Sequence, residues 1–97
     1  MKNKKEILAA LRKAKNDLGN QYHVKSIALF GSYSRGDHTA NSDVDILVDF
    51  EEPVSGLKFV QLAEDLETYV GLPADVVPAD AVKPRYFAVI EKELVYV

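Results

Sequence analysis

The segment GSYSRGDHTANSDVD, from Gly31 to Asp45, sets a Gly-Ser pair, ten intervening residues and then two aspartates separated by one position. Along a strand, side chains alternate between faces, so in DVDILVDF Asp43, Asp45 and Leu47 share one face while Val44, Ile46 and Val48 share the other. The apolar set is expected in the core. The two carboxylates then lie about 6–7 Å apart near the strand's start, where each opposes ionisation of the other and something positive must compensate. A divalent cation is the simplest compensation: hard ions such as Mg²⁺ take oxygen ligands, keep several waters and are held by one or two carboxylates together with substrate phosphates. Asp75, in LPADVVP, opens another short apolar run. If that run neighbours the acid-bearing strand, its carboxylate joins the pair; as a residue close behind Pro73 it could instead be a turn acid.

The Gly-Ser pair suggests the other half of a reaction. Gly31 ends the apolar run SIALF and has no Cβ, so the chain can turn tightly and bring its own N–H and that of Ser32 close to an anion. A short helical turn over residues 33–36 would direct the positive end of its dipole at a phosphate, with the Ser32 hydroxyl as a further donor. Arg35 could bind phosphate or pair with a nearby acid, and Ser42 and Asp43 could serve only to turn the chain. Gly-Ser alone is a common turn; its spacing to the acid pair gives it meaning. Between the two elements fits a metal-bridged nucleoside triphosphate, its α-phosphorus open to in-line attack by a hydroxyl.

The surrounding elements must hold these groups. Asn3 followed by Glu6 reads as a capping box, and Ile7, Leu8, Leu11, Ala14 and Leu18 mark one face of a helix ending at Gly19. SIALF, Ser26 to Phe30, reads as a buried strand and DVDILVDF as a second. Ser55 caps a helix that carries Leu57, Val60, Leu62, Ala63, Leu66 and Val70 and stops at Gly71. ADVVPA predicts a third strand, Pro84 opens a last helix bearing Phe87 and Ile90, and ELVYV from Glu93 predicts an edge strand. No internal repeat is present.

With 97 residues, 47% hydrophobic and 28% charged, the chain is expected to form a single domain over residues 1–97, one sheet packed by helices. The absence of cysteine excludes disulfides and thiolate metal sites. The basic N-terminus has helical periodicity broken by Lys and Arg, unlike a signal peptide or a membrane span, so a cytoplasmic protein without membrane association is expected. A formal charge of −3 argues against direct, backbone-driven nucleic-acid binding. The basic face with Lys4, Lys5, Arg12 and Lys15 is expected to be solvated, His38 to be an exposed loop residue, and Tyr22, Tyr69, Tyr86 and Tyr96 to be core or rim residues.

GSYSRGDHTANSDVD resembles the Gly-Ser, ten residues, Asp-x-Asp signature of the DNA polymerase β-like nucleotidyltransferase superfamily, specifically its minimal nucleotidyltransferase (MNT) branch. The resemblance covers Gly31, Ser32, Arg35, Gly36, Ser42, Asp43 and Asp45, and ADVV is similar to the family's third-carboxylate strand at Asp75. It implies an α/β (α+β) fold, a small mixed sheet with flanking helices. It also implies catalytic and metal-binding roles for Asp43, Asp45 and Asp75 with two Mg²⁺ ions, nucleotide contacts from Gly31, Ser32, Arg35 and Ser42, and transfer of AMP from ATP. MNT proteins of this kind are antitoxins commonly paired with a HEPN-domain toxin, an RNase, which they neutralise by adenylylating a tyrosine hydroxyl.

Three function classes follow: a nucleotidyltransferase acting on a protein hydroxyl, one acting on a small molecule such as an aminoglycoside, and a binding-only antitoxin that masks its partner. The intact acids argue against the last. The lack of an extra helical domain to hold a drug argues against the second. No general base is evident beyond the carboxylates, so activation of the acceptor hydroxyl falls to Asp75. The acid face of the sheet is expected to be open, without a lid, so that another chain must orient the acceptor.

Overall fold

A computed structural model describes residues 2–97. Helix α1 (Lys4–Tyr22) leads into strand β1 (Val24–Phe30) and a single helical turn α2 (Ser32–Arg35). Strand β2 (Val44–Phe50), helix α3 (Gly56–Val70) and strand β3 (Ala74–Pro78) follow. Helix α4 (Pro84–Ile90), a 3₁₀ turn (Glu91–Glu93) and strand β4 (Val95–Tyr96) close the chain. The four strands lie in the order β3-β2-β1-β4. β1 is antiparallel to β2 and β4, whereas β2 and β3 are parallel, so the sheet is mixed as expected. Among the described residues no helix is long and apolar enough to cross a membrane.

The helix starts obey their local chemistry. The Glu6 N–H donates to Asn3 Oδ1 at 2.9 Å while the Asn3 N–H donates to Glu6 Oε1 at 3.2 Å, the reciprocal capping box. The Lys58 N–H donates to Ser55 Oγ at 3.2 Å, and Gly71 closes α3 in the left-handed conformation. The first helix differs from expectation at its end. It passes Gly19 and stops only at Tyr22, with His23 as a left-handed cap at φ 55°. The reason is tertiary: Tyr22 is buried against α3 and its hydroxyl donates to Asp65 Oδ2 at 2.8 Å, which outweighs the modest cost of a glycine inside a helix.

The alternation in β2 separates two cores. Val44, Ile46 and Val48 pack beneath α1 and α3 with Ile7, Leu11, Leu62, Leu66 and Val70, all fully buried. On the opposite face Leu47 joins Ala28, Phe30 and Ile90 in a smaller cluster, with Phe87 and Leu94 packed against it. The acid-bearing face is therefore left open at the Asp43 end. Further along, α4 covers it, because Leu47 and Phe30 put apolar surface there that the short last helix buries.

Candidate active site

Register explains how the separated motif residues converge. Phe30 at the end of β1 pairs with Asp45, and on the other side of β2 Asp45 pairs with Asp75. Asp45 thus sits between the Gly-Ser turn and the third acid. Asp43 is exposed just before β2, and the adjacent Val44 N–H donates to the Pro73 carbonyl at 2.9 Å, tying the starts of the two parallel strands together. Asp75 is also exposed.

Gly31 has a stricter requirement than tight turning. Its backbone lies at φ 76°, ψ −156°, a region that essentially only glycine populates. A Cβ placed there would come to 2.0 Å from Asp45 Oδ2 and 2.8 Å from its Cγ. The missing side chain therefore makes room for the Asp45 carboxylate, over which the chain turns. The α2 turn follows as expected, and its first amides, those of Ser32 and Tyr33, have no acceptor within the helix.

The Gly31 amide meets an anion supplied by the protein itself. Its N–H donates to Glu93 Oε1 at 3.0 Å, and Arg35 Nη1 lies 3.0 Å from Glu93 Oε2. Arg35 Nε also pairs with Asp37 at 3.0 Å, so Arg35 pairs with acids, and the same side chain lines the cleft. These hydrogen bonds, to Asp37 first and Glu93 second, hold the guanidinium firmly protonated. The Ser34 hydroxyl donates to the Glu93 carbonyl, and Lys4 Nζ donates to the Ser34 carbonyl at 2.9 Å. Lys4 is accordingly part of the support beneath the turn, and Lys15 is tied to the Val97 carbonyl at 2.9 Å, rather than both lying free on a solvated face.

Asp45 is the electrostatic focus. Burial first, then the charges of Asp75 and Asp43, push its carboxyl above the ordinary aspartate value of 3.8; Arg35 opposes the shift and Glu93 adds to it. The site therefore carries excess negative charge around a half-buried acid, which favours a cation. Among the described residues no three carboxylate or imidazole groups converge tightly enough to enclose a metal ion unaided.

A cleft of about 350 Å³ brings together Gly31, Ser32, Arg35 and Asp45 with Glu93 and Tyr86. Of the expected site residues, Asp43, Asp75 and Ser42 are outside its lining; Ser42 closes the preceding loop, its Oγ accepting the Thr39 N–H at 2.9 Å. A larger hollow of about 470 Å³ lies at the other end of β2, between Phe50, Phe59 and Pro78, and contains none of the motif residues. The smaller cleft is the candidate site because donors, acids and a cation converge there. His38, expected to be exposed, stacks on the buried Tyr33 ring at 4.0 Å with its Nδ1 buried. Two residues of the cleft had no sequence signal. Glu93 was legible only as the start of an edge strand, and Tyr86 as a rim aromatic; α4 and the 3₁₀ turn that follows it bring both to the cleft.

A nucleotidyltransferase domain model matches residues 11–97. The chain belongs to the nucleotidyltransferase domain family and is an enzyme of that class. It is 45% identical over 92 residues to the protein adenylyltransferase MntA of Thermococcus cleftensis, covering 95% of this chain and 93% of that one. Among solved structures, a protein assigned as a minimal nucleotidyltransferase superposes with a TM-score of 0.79 at 31% identity, covering 97% and 95% of the two chains. A chain of a variant of the toxin–antitoxin MntA–HpeT superposes with a TM-score of 0.71 at 25% identity, covering 92% and 69%. The expectation of a minimal nucleotidyltransferase is met by these likenesses.

Proposed function

We propose that the protein transfers AMP from ATP to a tyrosine hydroxyl of a HEPN-domain toxin, with cleavage of the α–β phosphoanhydride and release of pyrophosphate, and acts as its antitoxin. The observation that carries this reading is the register that sets Asp45 beside both the Gly31–Ser32 turn and Asp75. That arrangement supports a triphosphate held between hydrogen-bond donors and carboxylates, as phosphoryl chemistry requires. The similarity to a relative named a protein adenylyltransferase supports a protein acceptor, and the likeness to a toxin–antitoxin component supports the partner.

The donor set fits Mg²⁺. It consists of carboxylate oxygens whose mutual repulsion at Asp45 is only partly offset by Arg35. An ion that keeps its waters and shares phosphate oxygens needs no closed protein cage. Asp43, Asp45 and Asp75 would hold two such ions, which when bound neutralise charge on the triphosphate. The chain's own groups do the rest. Ser32 and Arg35 orient the phosphates, and Arg35 supplies permanent charge. Asp75, exposed beside Asp45, accepts the proton of the incoming hydroxyl. The partner holds that hydroxyl, since α4 covers the sheet without enclosing the acid end.

The test is incubation with the toxin and Mg-ATP. Whole-protein mass should show one or more AMP additions at a toxin tyrosine, with loss of RNase activity. The Asp45→Asn variant should neither modify the toxin nor neutralise it when substoichiometric. Full neutralisation by that variant would replace enzymatic inactivation with masking.

A further inference from the structure

We infer that Tyr86 is the stacking platform for the nucleobase of the bound nucleotide, an inference that rests on the nucleotidyltransferase reading of the same cleft. Tyr86 is 52% exposed and Val89 is 62% exposed, although both belong to α4, whose last residue, Ile90, is 3% exposed and anchored in the smaller core. Tyr86 and Val89, three positions apart on α4, line the same cleft, and Glu93 of the following 3₁₀ turn lines it as well. Its polar lining, Ser32, Arg35, Asp45 and Glu93, comes from the turn after β1, from β2 and from the 3₁₀ turn, whereas the exposed phenol ring and valine come from α4. A nucleoside triphosphate is divided in the same way. Its phosphates belong with the donors and the cation, so its planar base falls toward the aromatic ring.

The anchoring of α4 supports this division. Ile90 and Phe87 enter the core while Tyr86 stays outside, so the ring is presented on a fixed element without losing contacts that the fold needs. An aromatic face held in this way binds a base at little ordering cost. Stacking reads the π-face and not the base edge, so purine triphosphates are expected to bind with similar affinities and pyrimidine triphosphates more weakly.

The chain contains no tryptophan, so Tyr86→Trp introduces a single, selectively excitable indole at the platform. Its emission should be quenched on titration with Mg-ATP and left unchanged by Mg-tripolyphosphate. Tyr86→Ala should weaken Mg-ATP binding about tenfold or more while leaving Mg-tripolyphosphate affinity unaltered, and Tyr86→Phe should restore ATP binding. An equal loss for both ligands would make Tyr86 a structural residue and overturn the inference. Unchanged ATP affinity with reduced transfer to the toxin would assign the ring to the acceptor protein and overturn it equally. If the parent bound neither ligand, the nucleotide reading itself would fall.

Discussion

The two faces of strand β2 are built from neighbouring residues and do opposite things. Toward α1 and α3, Val44, Ile46 and Val48 are completely buried in the larger core. Toward the cleft, Asp45 is half-buried among like charges and only Leu47 finds an apolar setting. Strand alternation lets one seven-residue segment secure the fold on one side and hold an unfavourable charge on the other. The helical face can support that charge because it needs nothing from the acid face.

Asp45→Asn tests the separation most severely. Transfer should fall by at least about a hundredfold, the scale expected on losing a metal-binding carboxylate, while the melting temperature at neutral pH rises by a few degrees. The pH dependence has a definite sign. Because folding raises the Asp45 pKa, protonation favours the folded state; that favourable contribution is complete below the ordinary value of 3.8 and is lost as pH rises through the higher folded-state value. The advantage of Asn should therefore be greatest at neutral pH and vanish toward pH 3. Calorimetric melting across that range checks it, and a variant less stable than the parent at pH 7 would break the comparison.

Its neighbour should behave in reverse. Ile46→Ala removes a fully buried side chain beneath both long helices and should destabilise by about 2–5 kcal/mol. Below its lowered melting temperature it should retain transfer within severalfold. Loss of activity in a folded Ile46→Ala protein would mean that the two faces are mechanically coupled.

Gly31→Ala probes the boundary between the faces. The backbone region alone costs about 1–3 kcal/mol for a non-glycine residue, and the added methyl would meet the Asp45 carboxylate at 2.0 Å. Combining it with Asp45→Ala removes that oxygen and should recover part of the loss, a coupling readable from a double-mutant cycle in urea. Additive losses would show that backbone conformation alone demands glycine. Ser32→Ala has a gentler expected effect, about 1–3 kcal/mol in Mg-ATP affinity by calorimetry and little in stability, if its hydroxyl contacts phosphate.

What was legible in the sequence follows the same division. The acid face could be read because alternation is local: Asp43, Asp45 and the valines declare their sides without knowledge of the fold. Asp75 required one conditional step, that β3 lies beside β2, and the parallel register supplies it. Helix starts at Asn3 and Ser55 were legible because their caps close within three residues. The end of α1 was not, since the groups that extend it beyond Gly19 sit on α3. Glu93 was hidden for the same reason: it meets the Gly31 amide across 62 positions, and no periodicity records such a contact. The further demand on Gly31, room for the Asp45 carboxylate, was hidden because spacing identifies a turn without revealing what crowds it.

The smallest expected effect belongs to the helical face alone. Two tyrosines link α1 and α3: Tyr22 donates to Asp65 at 2.8 Å and Tyr69 to Asp17 at 2.8 Å. Tyr22→Phe keeps the ring in the core and deletes only its hydroxyl. Asp65 is partly exposed and can exchange that donor for water, so the loss should be near the low end for a hydrogen bond to a charged group, about 1 kcal/mol. Burial first, and then the bond to Asp65, raise the Tyr22 phenol above its ordinary value of 10.0. Its contribution is thus fully present at neutral pH and is lost as alkaline pH passes through the folded-state value. Urea midpoints for parent and variant should accordingly differ at pH 7 and converge above pH 10, with unchanged m-values and undiminished transfer at neutral pH. A fall in transfer would show that α1 and α3 position the acids as well as covering the sheet, and the separation between the faces of β2 would no longer stand.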